Sequence, residues 1–172
     1  MESAVTADNT GVVAFNIESD PATHATAQMK KYGFRNGKIR TFTNAKVARA
    51  MRIITFLARA QLKKVPHGTL PPFGTPIRLD LTFHYAIPAT RRKGKNAYRE
   101  GEGATAHWTA DCDNRAKAVI DALVNAGICE NDKDITALFI RKRWIVTNPH
   151  IHVEIRRDAS DRPATDKGEN AQ

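Results

Sequence analysis

The sequence is poor in cysteine and has no long apolar run, and both shortages narrow the class of protein. Its two cysteines, Cys112 and Cys129, form no Cys-x-x-Cys pair, and no signal peptide precedes them. Two reduced thiols in a cytoplasmic protein are therefore expected. No apolar stretch approaches the ~20 residues that a membrane-spanning helix needs, so no membrane association is expected.

Acidic residues are fewer than basic ones. The chain has 27 Lys and Arg against 18 Asp and Glu, which gives a net charge of +9 and a pI near 9.8. Such an excess favours a polyanionic partner, above all a nucleic acid. Charge alone leaves open that the chain is simply a basic soluble protein.

The 172 residues suit one domain. Polar composition predicts a flexible N-terminus over residues 1–10 and a disordered tail over 158–172, with the folded domain between them over 11–157. Apolar periodicity predicts strands near 11–17, 76–88, 135–147 and 151–157, and helices over 45–64 and 114–126. This order predicts an α/β or α+β fold, in which a mixed β-sheet packs against two main helices.

Turn residues and one unpatterned segment complete this outline. Asn36-Gly37 predicts a tight hairpin turn, and Asn148-Pro149 predicts a second hairpin between the last two strands. Residues 90–110 show no core pattern, and a loop of that length is usually functional or disordered.

Acidic residues flank the second predicted helix. Asp111 and Asp113 precede it, and an extended chain there would direct both carboxylates to one side. Lys117 lies four residues after Asp113 on the same flank. A helix that ends at Gly127 and is followed by a strand can return Asp132 to the same place. The alternative is that Asp113 only caps the helix, where free N–H groups and the dipole favour a carboxylate.

These residue types suit a divalent cation and phosphate chemistry. Mg²⁺ takes oxygen ligands and keeps several waters, so Asp111, Asp113 and Asp132 would suffice to hold it. Such a site can activate water for attack on a phosphodiester, and the Lys117 ammonium can stabilise the charge that accumulates. An EF-hand is excluded, because alanines stand at the positions of its Gly and Glu.

The run DCDNRAKAVIDALVNAGICEND, from Asp111 to Asp132, resembles the signature of the RusA family of Holliday-junction resolvases. That signature is D-x-D-N-x-x-K-x-x-x-D-x-L, followed by a glycine turn and an acidic pair. The family consists of Mg²⁺-dependent endonucleases that act as homodimers on four-way DNA junctions. The resemblance implies catalytic acids at Asp111, Asp113 and Asp132, a catalytic lysine at Lys117, and Mg²⁺ as cofactor, for which Mn²⁺ can substitute. Asn131 departs from the family, which often has Asp there.

Basic residues near the motif are the candidates for DNA binding. Contacts to phosphates would hold DNA without reading its sequence, and they would offset the repulsion of the acids. A solvated basic surface is the alternative for each cluster. The candidates are Lys30, Lys31, Arg35, Lys38 and Arg40 in one cluster, and Arg91, Arg92, Lys93 and Lys95 in another.

The sequence thus predicts a Mg²⁺-dependent, structure-selective DNA endonuclease that resolves Holliday junctions by paired symmetric nicks in recombination and repair. It is expected to be a cytoplasmic, nucleoid-associated homodimer on branched DNA, from a family that often occurs on phages. Two alternatives stay open. One is a non-catalytic nucleic-acid-binding module whose acids are helix caps, and the other is a nuclease for other branched DNA or for RNA.

Overall fold

Two helices and a mixed β-sheet dominate the computed structural model, which describes residues 6–7, 11–23, 30–43, 45–89, 103–106 and 112–158. The predictions of a disordered tail, of a flexible residue 1–10 segment and of a loop over 90–110 fall largely outside these residues. The helices are α1 (Ala45–Leu62) and α2 (Cys112–Ala126). The strands are β1 (Thr6–Ala7), β2 (Val13–Ile17), β3 (Lys30–Arg35), β4 (Lys38–Thr43), β5 (Ile77–Ala86), β6 (Ile135–Ile145) and β7 (His150–Arg157).

Five strands form one sheet in the order β1-β2-β7-β5-β6, and β3 and β4 form a separate hairpin. β5 and β6 run parallel, while β5 and β7, β7 and β2, and β2 and β1 are antiparallel. The described part is a mixed α+β domain, as predicted. None of its described helices is long and apolar enough to cross a membrane.

β5 lies between β7 and β6 in the sheet. The alternation around β5 predicts one apolar side, and its six side chains, five in the strand and Ile87 just after it, are all buried, which confirms the prediction: Ile77, Leu79, Leu81, Phe83, Tyr85 and Ile87.

The polar side of β5 is less exposed to solvent than its residue types suggest. Asp80 is only 5% exposed. Its carboxylate accepts hydrogen bonds from Arg78 Nε at 2.9 Å and from Arg156 Nη2 at 3.0 Å. Burial alone would raise the pKa of Asp80, but the two guanidinium groups outweigh burial and hold that pKa below 3.8.

The predicted hairpin between the last two strands is wrong. β6 and β7 do follow each other closely, but β5 lies between them and pairs with both. Residues 146–149 therefore span two strand spacings, and Asn148 takes a left-handed φ of 55° there. Pairing with β6 and β7 gives the backbone N–H and C=O groups of β5, a largely buried strand, partners on both edges.

The two helices pack against each other and onto the sheet. The predicted apolar side of α1 is inward, with Val47, Ile54 and Ala58 buried, and Ala116 and Leu123 of α2 are buried as well. Of these side chains, Ile54, Ala58, Ala116 and Leu123 share one core with β2, β5 and β7. The predicted Asn-Gly hairpin is present between β3 and β4, where Asn36 and Gly37 have φ values of 51° and 71°.

Candidate active site

α2 places three charged side chains on one flank. The buried side of the helix fixes its rotation, so the flank with Asp113, Lys117 and Asp121, spaced four residues apart, faces away from the core. Asp113 and Lys117 are exposed, and Asp121 is half-buried. At the start of α2, Arg115 Nη1 donates to the carbonyl oxygen of Pro21, which ties the helix to the short 3-10 turn Pro21–Thr23 after β2.

The second helix begins two residues earlier than predicted, so the chain is not extended at Asp113. α2 begins at Cys112, so Asp113 lies in its first turn, where the helix dipole favours a carboxylate. Asp111 lies outside the described residues, and the structure gives no position for its side chain.

The C-terminal end of α2 turns the chain back toward the sheet. Gly127 has a φ of +97°, its N–H bonds Val124 O at 2.9 Å, and the Ile128 N–H bonds Leu123 O at 3.3 Å. This pair of bonds is a Schellman motif, which needs a left-handed residue at the glycine position. The sequence predicts this turn, and it directs the chain into the second acidic segment.

A short 3-10 helix, Asp132–Asp134, then presents Asp132 to solvent. Asn131 caps it: its side chain accepts from the Lys133 N–H at 3.1 Å, while the Asp134 carboxylate accepts from the Asn131 N–H at 3.1 Å. Asp134 also accepts from the Glu130 N–H at 3.2 Å. This reciprocal capping box fixes the backbone that carries Asp132.

Residues from both ends of α2 meet in one cleft of about 320 Å³, which we call the acidic cleft. Three predicted site residues line it: Asp113, Lys117 and Asp132. Asp121 lines it too, although the sequence assigned it no role. The remaining lining is mostly apolar and comes from α2 and β6: Ala116, Ile120, Ile135, Leu138 and Ile140.

The carboxylates of Asp113, Asp121 and Asp132 line the acidic cleft, but these three alone do not form a complete metal site. Within the described part of the chain, no three His, Cys, Asp or Glu side chains are close enough to hold one ion. The donors that do line the cleft are carboxylate oxygens, which suit Mg²⁺. An ion of this kind takes one or two protein carboxylates and completes its shell with water and phosphate.

The predicted DNA-binding residues are only partly placed. Lys30, Lys31, Arg35, Lys38 and Arg40 belong to the β3–β4 hairpin. The other four, Arg91, Arg92, Lys93 and Lys95, lie outside the described residues.

Two further acids, Asp121 and Asp134, follow patterns in the sequence, although the sequence predicts no role for either. Asp121 continues the spacing of Asp113 and Lys117 by another four residues, so its place on that flank followed from helix geometry. Asp134 completes an Asn-x-x-Asp pattern with Asn131, a polar cap followed three residues later by a carboxylate.

A separate group of histidines lies near the end of the β5–β7 pairing. The rings of His84 and His150 stack at 4.3 Å, and His152 Nδ1 lies 2.8 Å from Asn16 Oδ1. Burial, together with the charges of His150, His152 and Arg143, lowers the pKa of His84 from 6.5 to about 4.

Comparison with known proteins points to one family. A sequence model of the family described as Endodeoxyribonuclease RusA matches residues 21–156, well over half of the chain. The matched range contains Asp113, Lys117 and Asp132 and every element from β3 to β6. No curated protein was found to match the chain.

Proposed function

Because the chain belongs to the RusA family of endodeoxyribonucleases, we propose that it is a Mg²⁺-dependent nuclease that resolves four-way DNA junctions by paired nicks. The observation that carries this proposal is the acidic cleft, in which Asp113 and Lys117 from the start of α2 meet Asp132 from beyond its end. A helix cap alone would not need Asp132 or Lys117 there.

The donor set fits a hard cation. Asp113 and Asp132 would hold Mg²⁺, or Mn²⁺ in its place, and Asp111 would join them from the residue before α2. When bound, the ion supplies a polarised phosphate oxygen and an acidified water.

Lys117 is the positively charged side chain that lines this cleft. It lies one helical turn after Asp113, and its ammonium would stabilise the negative charge that accumulates on the scissile phosphate. Lys117 therefore contributes most in the transition state.

A homodimer would complete the reaction on a junction. Two-fold symmetry would present one acidic cleft to each of two symmetric strands, and two nicks would separate the arms in recombination or repair. The β3–β4 hairpin and the basic residues 91–95 would bind the phosphates of the arms. The net charge of +9 supports such a polyanionic substrate.

A synthetic four-way junction, with each strand labelled in turn, tests the proposal. The protein should nick two symmetric strands with Mg²⁺ and none with EDTA. Lys117→Met should slow cleavage about 10²- to 10³-fold, and Asp113→Asn and Asp132→Asn should slow it at least as much while junction binding in EDTA persists. Glu18→Gln, an exposed acid outside the acidic cleft, is the matched control and should cleave normally.

The outcomes separate the open alternatives. Tight binding without cleavage under any divalent ion would contradict the enzyme and leave a nucleic-acid-binding module. Faster cleavage of flaps, forks or RNA–DNA hybrids than of the four-way junction would keep the nuclease but change its substrate.

A further inference from the structure

α1 presents a basic outer side with an aromatic ring and no carboxylate. Between Ala45 and Leu62 the helix has no Asp or Glu, and its four cations, Lys46, Arg49, Arg52 and Arg59, are all exposed. On the same side Phe56 is 72% exposed and Ile53 is 42% exposed. A single exposed apolar residue needs no explanation, but a ring among cations on one helix side resembles a nucleic-acid contact surface.

Phe56 borders a cleft of about 550 Å³, which we call the α1 cleft. Arg52 and Arg59 flank the ring, so a base beside Phe56 would have guanidinium groups within reach of its phosphates. The lining consists of Ala48, Met51, Arg52, Thr55, Phe56, Arg59 and Asn125.

The α1 cleft is linked to the acidic cleft by a third cleft that shares lining residues with both. Met51 and Asn125 line both the α1 cleft and a connecting cleft of about 400 Å³. The connecting cleft also contains Asp121 and Asp132, which line the acidic cleft. One groove thus leads from the proposed reaction centre to Phe56.

The wall of this groove is fixed by hydrogen bonds between the two helices. Thr55 Oγ1 donates to Ala122 O at 3.1 Å, and Arg59 Nη2 donates to Asn125 O at 2.7 Å. Arg59 thereby satisfies a carbonyl at the end of α2, and the spacing between α1 and the catalytic flank is held in place.

We propose that the α1 cleft binds the DNA strand next to the scissile phosphate, with Phe56 stacked on an unpaired base at the branch point and Arg52 on the backbone. This inference rests on the proposed function and adds a DNA-binding surface outside the two basic clusters. Charge favours DNA over a second copy of the chain, because a symmetric contact would set the four cations of one α1 against the same four.

The test uses the full chain with Asp113→Asn, in EDTA, and a four-way junction with 2-aminopurine at the branch. If the branch-point base stacks on Phe56, Phe56→Ala should weaken junction binding about 5- to 150-fold. The same change should raise the 2-aminopurine fluorescence, which stacking lowers. Phe56→Trp should retain binding, because it keeps a ring. Arg52→Gln should lower the slope of log affinity against log salt by about 1.

Two matched variants control for general loss of apolar or basic surface. Phe73→Ala removes a ring that is 65% exposed but lines none of the three clefts, and Arg157→Gln removes an exposed cation at the end of β7. Both should bind as the parent does. Melting curves confirm that each variant is folded.

Three results would decide whether the α1 cleft binds DNA. If Phe56→Ala binds the junction as the parent does, with unchanged fluorescence, the inference is wrong although the proposed function stands. If Phe56→Ala lowers the molar mass in light scattering and DNA affinity falls only with it, α1 is instead an interface between copies. If the chain without substitutions neither cleaves nor binds a junction, the proposed function itself fails.

Discussion

Asp134 is expected to control activity without touching the substrate. Its carboxylate accepts the N–H groups of Glu130 and Asn131 at 3.2 and 3.1 Å, and these bonds hold the turn that carries Asp132. Asp134→Ala removes the single oxygen, Oδ2, that accepts both bonds. Loss of a capping side chain costs about 1 kcal/mol, and in a chain of this length that lowers Tm by roughly 2–4 °C.

The effect on cleavage should be larger than the effect on stability. A displacement of about 1 Å at a catalytic group can cost about 10²-fold in rate, and Asp132 follows directly after Asn131 in the released turn. We expect Asp134→Ala to reduce single-turnover cleavage of a four-way junction by about that factor, at a temperature where the variant is fully folded. Asp134→Asn keeps one acceptor oxygen and should lose much less.

Asp20→Ala provides the comparison. Asp20 Oδ1 accepts the Ala22 N–H at 2.8 Å, so this variant also loses a local acidic cap, but Asp20 lines none of the three clefts. It should keep normal cleavage. Normal cleavage by Asp134→Ala would refute the reasoning, because the capping box would then be unnecessary for the position of Asp132. An equal loss of cleavage in Asp20→Ala would mean that general destabilisation causes both losses.

Two further predictions concern groups outside the clefts. Because the pKa of His84 falls from 6.5 in the unfolded chain to about 4 in the folded one, protonation favours unfolding. Its contribution to stability is constant above pH 6.5 and is lost as pH falls toward 4. Urea unfolding across that range should show a steeper decline than in His84→Gln, and parallel curves would contradict the assignment. Burial and the nearby Asp134 raise the pKa of the Cys129 thiol from 9.0 to about 11. In a Cys112→Ser variant, iodoacetamide should therefore react at least ~100-fold more slowly at pH 8 than in the urea-unfolded chain, and comparable rates would contradict the buried thiol.

Local periodicity was enough to predict the two helices and β5. The alternation of β5 and the three- and four-residue spacing of α1 and α2 each identify an inward side, and those sides are buried. The order of the strands in the sheet could not be predicted from the same patterns. The close succession of β6 and β7 favours a hairpin, but which strands pair depends on the demand of β5 for two neighbours, a property of the whole sheet.

The candidate site was predictable where it depends on helix spacing. Asp113 and Lys117 lie on one flank because they are four residues apart, and the glycine turn at Gly127 accounts for the return of Asp132. The α1 cleft was not predictable. Its basic residues are visible in the sequence, but their continuity with the acidic cleft depends on how α1 packs on the end of α2.

Different parts of the structure hold the two sides of the acidic cleft in place, so substitutions near each side should have different effects. Asp113 and Lys117 belong to a helix whose inner side is part of the core, where Leu123 is fully buried. Asp132 belongs to an exposed turn held mainly by the Asn131–Asp134 box. A core substitution such as Leu123→Ala should therefore lower global stability, by about 2–5 kcal/mol, and should lower activity only as the protein unfolds. Substitutions in the turn leave the core intact, so they should lower activity while the protein remains folded.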